Sequence, residues 1–347
     1  MKMCYRIISI FIAAILSLAV FGCHRGSQGT AITVYTALES ELVDKYLESF
    51  RKLHPDINVR IVRESTGIIT ARLLAERDNP QADVIWGTAA SSMLILDEQG
   101  LLEPYSPEGA ERILPMFKSS RKIPTWIGLA AWETAFVVNL PELARLGLDI
   151  SQIQSYDDLL RPELRGHVTM PNPNSSGTGL LTIAGLLQIM DKNTDAGWDY
   201  LTRLHENISM YTHSGSRPAR MAASGECVVG ISFGYAGVTQ KARGAPVAVV
   251  FPREGSGWDL EANALVRREN INPKSKVFLD WAISEPKMAL VKEVYPIITT
   301  GQGGTYEGIA GNPVDQLIDN DLAWIASNRE TMLNRWMTLF NERTEAR

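Results

Sequence analysis

Two short stretches of this chain carry residue types that could do chemistry. The first, Pro171 to Gly179 (PNPNSSGTG), sets prolines, asparagines, serines, a threonine and glycines ahead of the apolar run Leu180 to Met190. Pro and Gly interrupt regular structure, and Asn and Ser favour turns and caps, so this is a loop feeding a helix start. A helix start leaves backbone N–H groups without partners and carries the positive end of the helix dipole, so Ser175, Ser176, Gly177 and Thr178 suit an oxyanion. The second stretch, Gly230 to Gly234 (GISFG), follows an apolar strand and matches the G-x-S-x-G turn that presents a serine nucleophile. A hydrolase of that kind needs a histidine base after the serine, yet His24, His54, His167, His205 and His213 all precede Ser232. No H-E-x-x-H or H-x-H spacing offers a metal site, and no G-x-x-x-x-G-K-[ST] loop offers phosphoryl transfer. The chemistry expected is therefore anion binding without catalysis, with no metal and no cofactor.

The elements that must hold such a loop alternate strand and helix. Ala31 to Tyr35, Asn58 to Arg63 and Ala82 to Trp86 read as strands, and Glu39 to Leu53, Ile68 to Glu76 and Ser91 to Gln99 as helices. This order predicts a parallel α/β sheet. From Glu133 to Asn139 the chain leads into a second set, with strands at His167 to Met170, Ile208 to Tyr211 and Cys227 to Ile231, before an extended return at Gly257 to Arg267. The expected architecture is an α/β fold of two lobes joined by two crossings. One lobe is made of 31–132 and 263–347 and the other of 133–262, with the ligand between them. From Asp315 onward, Leu317, Ile318, Leu322, Trp324, Ile325, Met332, Leu333, Trp336, Leu339 and Phe340 predict two amphipathic helices packed on either lobe.

Ligands in open α/β sheets lie beyond the carboxyl ends of the strands. The loops there are Thr36-Ala37-Leu38-Glu39, Ser65-Thr66-Gly67, Gly87-Thr88-Ala89-Ala90, Ser175-Ser176-Gly177-Thr178 and Ser214-Gly215-Ser216, all rich in small and hydroxyl residues. Any one would serve as a helix cap; together they outline a cleft of neutral donors in which Arg217 is the one basic residue. The segments VYTALE, RESTGIITARLLAERDNPQADVIWG, MPNPNSSGTG, YTHSGS, GISFGY and GWDLEA resemble the type II periplasmic solute-binding proteins of ABC importers. That group includes the ferric-ion binders, and the resemblance runs closest to the 2-aminoethylphosphonate-binding members. It implies two lobes that close over a phosphonate, with Ser176, Gly177 and Thr178 cradling the anion, Tyr235 as a cleft tyrosine and ABC permease subunits as partners. Ferric binders use two adjacent tyrosines; this chain has no Tyr-Tyr pair. The expected ligand-binding set is Thr36, Leu38, Glu39, Thr66, Gly67, Thr88, Ala89, Ser175, Ser176, Gly177, Thr178, Ser214, Tyr235, Trp258 and Asp259. Strand alternation puts Asp259 and Glu261 on one face, and Glu39 and Asp259 are the expected partners of an ammonium group, with Glu261 next and a plain surface role as its alternative.

Lys2 and Arg6 precede the apolar run Ile7 to Phe21, which ends at Gly22-Cys23. This predicts a lipoprotein signal peptide over 1–22, a lipidated Cys23 and a tether over 23–30, hence an extracytoplasmic protein anchored to a membrane. Cys227, in the run Cys227-Val228-Val229, reads as a buried structural thiol. With 34 basic against 39 acidic residues and a formal net charge of -5, the 347-residue chain carries no basic patch for nucleic acid, and it is expected to be a monomer.

Overall fold

The computed structural model describes residues 31–192, 195–301, 303–306 and 313–346. The expected signal peptide, Cys23 and tether lie outside the described residues. The chain runs β1 (Ala31–Thr36), α1 (Ser40–Leu53), β2 (Asn58–Arg63), α2 (Thr66–Ala75), β3 (Val84–Ala89), α3 (Ala90–Glu98) and β4 (Leu102–Glu103), then enters the long strand β5 (Ile127–Asn139). After α4 (Leu140–Arg145) come β6 (Val168–Pro171), α5 (Gly177–Ile189), α6 (Asp195–Asn207), β7 (Ile208–Thr212), α7 (Arg217–Ser224), β8 (Val229–Phe233), α8 (Gly234–Ala242) and β9 (Val247–Val250). The return consists of β10 (Trp258–Val266), α9 (Pro273–Ala282), α10 (Glu285–Lys292), β11 (Ile297–Ile298) and α11 (Leu322–Phe340).

The first lobe forms around β1 and β3, which are parallel neighbours between helices. All six residues of β3 are buried, as a strand covered on both faces requires. The stripe Leu42, Val43, Tyr46, Leu47 and Phe50 on α1 is buried against it. Beneath lies an aromatic cluster in which Trp86 meets Phe278 at 5.4 Å and Trp281 at 5.7 Å between ring centroids. Lys287 is fully buried in this cluster, its Nζ 3.4 Å from the centre of the Tyr46 ring and without a hydrogen-bond partner among the described residues. Cys227 is buried in the second lobe, and burial pushes its thiol up to about 12, in keeping with a structural role.

The strand order is β2-β1-β3-β10-β5-β8-β6-β7. Strand β5 belongs to both lobes: Ile127 to Glu133 pair with β10, and Thr134 to Val138 pair with β8. All 13 of its residues are buried. Sequence alternation identifies only the second half, because IGLAAW is buried on both faces and has no period to read. The return crossing is tied to the first one by Thr134 N donating to Gly257 O at 2.9 Å. Strand β10 lies wholly in the first lobe's sheet, pairing with β3 through Glu261 and Ala262 as well as Ala264 and Leu265, so a boundary at residue 262 cuts through it.

The C-terminal part differs from the expected pair of helices. A short 3-10 turn at Pro313–Gln316 precedes the single 19-residue helix α11. Its buried residues are Ile325, Met332, Leu333, Trp336 and Phe340, so the aromatic positions do pack inward. The helix touches α3 and α5, one from each lobe. Ring contacts of Trp336 with Tyr211 at 5.0 Å and of Phe340 with His205 at 5.1 Å seat its end on the second lobe.

Candidate functional site

The carboxyl ends of the strands in the two lobes face each other across a cavity of ≈ 40 Å³. From the first lobe it is lined by Ala37, Glu39, Arg63, Ser65, Thr66, Glu261 and Tyr295, from the second by Ser176, Gly177, Thr178, Ser214, Gly215 and Phe233, and at the crossing by Trp132. The second lobe's end of the site follows from its local chemistry. Asn172 O accepts from Ser175 N and Ser176 N at 3.3 and 2.9 Å, folding the Pro/Asn segment into a turn. Ser176 then caps α5, its Oγ accepting from Gly179 N at 3.3 Å. Gly215 must be glycine because a Cβ there would lie 2.3 Å from Thr178 Oγ1, so the two donor loops pack directly on each other.

The opposite end is acidic. Glu39 and Glu261 line the cavity, and Tyr295 Oη donates to Glu261 Oε1 at 3.5 Å. Burial, then the neighbouring carboxylates of Asp259 and Glu39, push the Glu261 carboxyl up to about 8. Arg63 lines the cavity beside Glu39, its Nε donating to Leu38 O at 3.0 Å and its Nη2 3.4 Å from Glu39 Oε1.

Of the expected ligand set, Glu39, Thr66, Ser176, Gly177, Thr178 and Ser214 are brought together around this cavity. The others are placed elsewhere. Thr36 is buried, its Oγ1 accepting from Leu38 N at 3.2 Å, and Leu38 packs against Gly87. Thr88 and Ala89 are paired with Ala262 and Glu261 in the β3–β10 ladder. Gly67 and Ser175 join the lobes to each other: Gly67 N donates to Ser175 O at 3.1 Å, and Ser65 Oγ to His213 O at 3.2 Å close by. Tyr235 lies at the rim, its hydroxyl donating to Glu41 Oε1 at 3.3 Å and its ring 5.9 Å from that of Tyr295. Trp258 Nε1 donates to Ile318 O at 3.0 Å, away from the cavity. The Asp259 carboxylate is buried and accepts from Ser91 N at 3.3 Å and Leu260 N at 2.6 Å, so it serves the start of α3 instead of a ligand; burial pushes it up to about 6.

Arg63, Trp132, Phe233 and Tyr295 lie outside the expected set, and Glu261 enters it only as an ammonium candidate behind Glu39 and Asp259. For Arg63 the signal was available, since it ends β2 immediately ahead of the Ser65-Thr66-Gly67 loop. Trp132, Glu261 and Tyr295 come from the crossing and from beside it, which the loop argument does not reach. The nucleophile-elbow pattern has a structural explanation: Ser232 is fully buried and donates to Gly215 O at 2.7 Å, holding the donor loop. Among the described residues no group of three or more His, Cys, Asp or Glu could hold a metal ion, and no helix is long and apolar enough to cross a membrane.

Residues 79–258 match the family model for bacterial extracellular solute-binding proteins. An uncharacterized protein of Haemophilus influenzae is 31% identical over 261 residues, 73% of each chain. Among solved structures, the periplasmic binding protein AfuA from Actinobacillus pleuropneumoniae, with exogenous fructose-6-phosphate bound, is similar at a TM-score of 0.81 and 29% identity, over 90% of this chain and 99% of that one. The periplasmic binding protein P5PA is similar at a TM-score of 0.79 and 27% identity, again over 90% and 99%.

Proposed function

The chain belongs to the bacterial extracellular solute-binding proteins, and we propose that within this family it serves an ABC importer as the receptor for 2-aminoethylphosphonate. The observation that carries this reading is the two-ended cavity, with hydroxyls and a helix start at one end and the carboxylates of Glu39 and Glu261 at the other. A phosphonate accepts hydrogen bonds from Ser176, Gly177, Thr178, Ser214, Gly215 and Thr66. An ammonium two carbons away donates to Glu261 and Glu39, which replace the Glu39 and Asp259 pair expected from sequence. Trp132 and Phe233 supply apolar walls for the carbons between. The acidic end favours a ligand that carries an amine over a hexose phosphate such as the one named for AfuA. The hydroxyl-rich end favours a phosphorus oxyanion over ferric iron, and Tyr235 hydrogen-bonds Glu41 at the rim. Delivery from a lipid anchor at Cys23 completes the proposal; Cys23→Ala should release the protein from the membrane without changing ligand binding.

Calorimetric titration with 2-aminoethylphosphonate, methylphosphonate, phosphate, fructose-6-phosphate and ferric iron tests the reading. The aminophosphonate should bind most tightly, and at pH 7 its binding should release a proton, because a cation beside Glu261 returns that carboxyl toward its ordinary range. Tighter binding of fructose-6-phosphate or iron would refute it.

A further inference from the structure

The loop Thr212–Ser216, which brings Ser214 and Gly215 to the cavity, is held from behind by the segment Asn341–Glu345 that follows α11. Thr344 forms an isolated parallel bridge with Tyr211, and Glu345 N donates to Tyr211 O at 3.0 Å. Arg343 Nη1 donates to Ile208 O at 2.6 Å on the same strand. Asn172 Nδ2 donates to Thr344 Oγ1 at 2.9 Å, so one segment braces both donor loops of the second lobe. The Glu345 carboxylate makes the contact nearest the site. One oxygen accepts from His213 N, immediately before Ser214, and the other lies 2.8 Å from Arg217 Nη1. The carboxylate side chain is only 9% exposed. Arg217, the one basic residue that the sequence places beside the donor loops, thus faces Glu345 and does not line the cavity.

We propose that Glu345 is a positioning residue for the oxyanion end of the cavity. By fixing the Thr212–His213 peptide it holds the start of the loop that carries Ser214 and Gly215 to the cavity, and its other oxygen pairs with Arg217 outside the cavity. Donors aimed in advance bind an anion without first being ordered, and misplacement by a fraction of an ångström weakens every hydrogen bond to it. A residue that touches no ligand therefore sets affinity for the head group and leaves discrimination at the amine end unchanged. This inference rests on the reading of that end as the one that takes the oxyanion.

Glu345→Ala and Glu345→Gln test it, because Arg343 and Thr344 keep their own bonds in both. Glu345→Ala should weaken 2-aminoethylphosphonate and methylphosphonate alike, by about tenfold, and leave their ratio unchanged. Glu345→Gln, which keeps an acceptor for His213 N, should recover most of the loss. Without any ligand, amide hydrogen exchange at His213 to Ser216 should quicken in Glu345→Ala while exchange within α5 stays as it was. Methylphosphonate affinity at the wild-type level in Glu345→Ala, or no recovery in Glu345→Gln, would overturn the assignment. Should the wild-type protein bind neither phosphonate, the ligand reading fails and the exchange measurement alone decides the positioning role: unchanged rates at His213 to Ser216 would then overturn it.

Discussion

Asp259 and Glu261 stand two residues apart on one strand face and serve different ends. Asp259 meets Ser91 N across 168 residues of chain, a contact no local pattern announces, whereas Glu261 reaches the cavity. Alternation placed both carboxylates on the correct face; which of them a distant helix start would engage was not written in the strand. Glu261→Gln and Glu39→Gln should each lower the ratio of 2-aminoethylphosphonate to methylphosphonate affinity. A fully buried pair that loses one partner costs about 3–5 kcal/mol; both side chains are partly exposed, so a loss of about 1–3 kcal/mol, roughly one to two decades in Kd, is expected. Asp259→Asn should leave that ratio unchanged and lower the melting temperature, as loss of a buried charged acceptor does. Lys287 illustrates the opposite case, a charge-bearing group with only rings for company. Burial holds its amine well below the usual lysine range. Lys287→Met, which keeps most of the stem volume and removes an unpaired polar group, should raise the melting temperature by calorimetry.

Among the elements, the strand-to-helix loops were the most legible part of the site. The loops after β1, β2, β6 and β7 all reach the cavity, as their Ser, Thr and Gly content suggested. The loop after β3 does not, because β10 runs antiparallel beside it and takes Thr88 and Ala89 into a ladder. An antiparallel strand inserted from a remote part of the chain breaks the rule that every strand end in the sheet opens onto the ligand, and neither composition nor period reveals it. Gly67, at the start of α2, owes its identity to the other lobe: a Cβ there would lie 2.5 Å from Asn174 O and 2.8 Å from Ser175 C, both backbone atoms. Gly67→Ala should therefore oppose closure while leaving each lobe folded, since alanine is the better helix former. Overpacking of this kind costs about 1–3 kcal/mol, a roughly ten- to hundredfold loss of ligand affinity. Small-angle scattering on the variant should show a smaller ligand-induced decrease in radius of gyration than on the wild type, with an unliganded melting temperature no lower.

At the scale of the whole molecule, the crossing between the lobes is a pair of hydrogen-bonded strands with an acid buried in it. Glu133 lies where β5 passes from one sheet to the other, fully buried, with no hydrogen-bond partner for either oxygen in the geometry of the described residues. Burial pushes its carboxyl up to about 7, with the nearby Tyr306 hydroxyl offsetting part of the shift. An acid whose folded pKa lies above its unfolded value stabilises the fold fully below the unfolded pKa. That contribution is lost as pH rises through the folded one, here between about 4.5 and about 7. Lys287 has the opposite sign, so the informative quantity is the difference between proteins: the melting temperature of Glu133→Gln relative to wild type should rise from pH 5 to about pH 7 and level off toward pH 8. A difference constant over that range would count against a buried neutral Glu133. The two-lobed plan was legible because each lobe repeats the strand-helix order, but the sharing of β5 was not, because its first half is featureless to periodicity. That sharing has a consequence for how the chain reaches its fold. The edge of β3 awaits β10, and every residue of the second lobe lies between them in the chain. Closing so long a loop before its contacts form is slow. A chain that emerges amino end first thus exposes an unpaired, apolar strand edge until β10 follows, open meanwhile to the wrong partner.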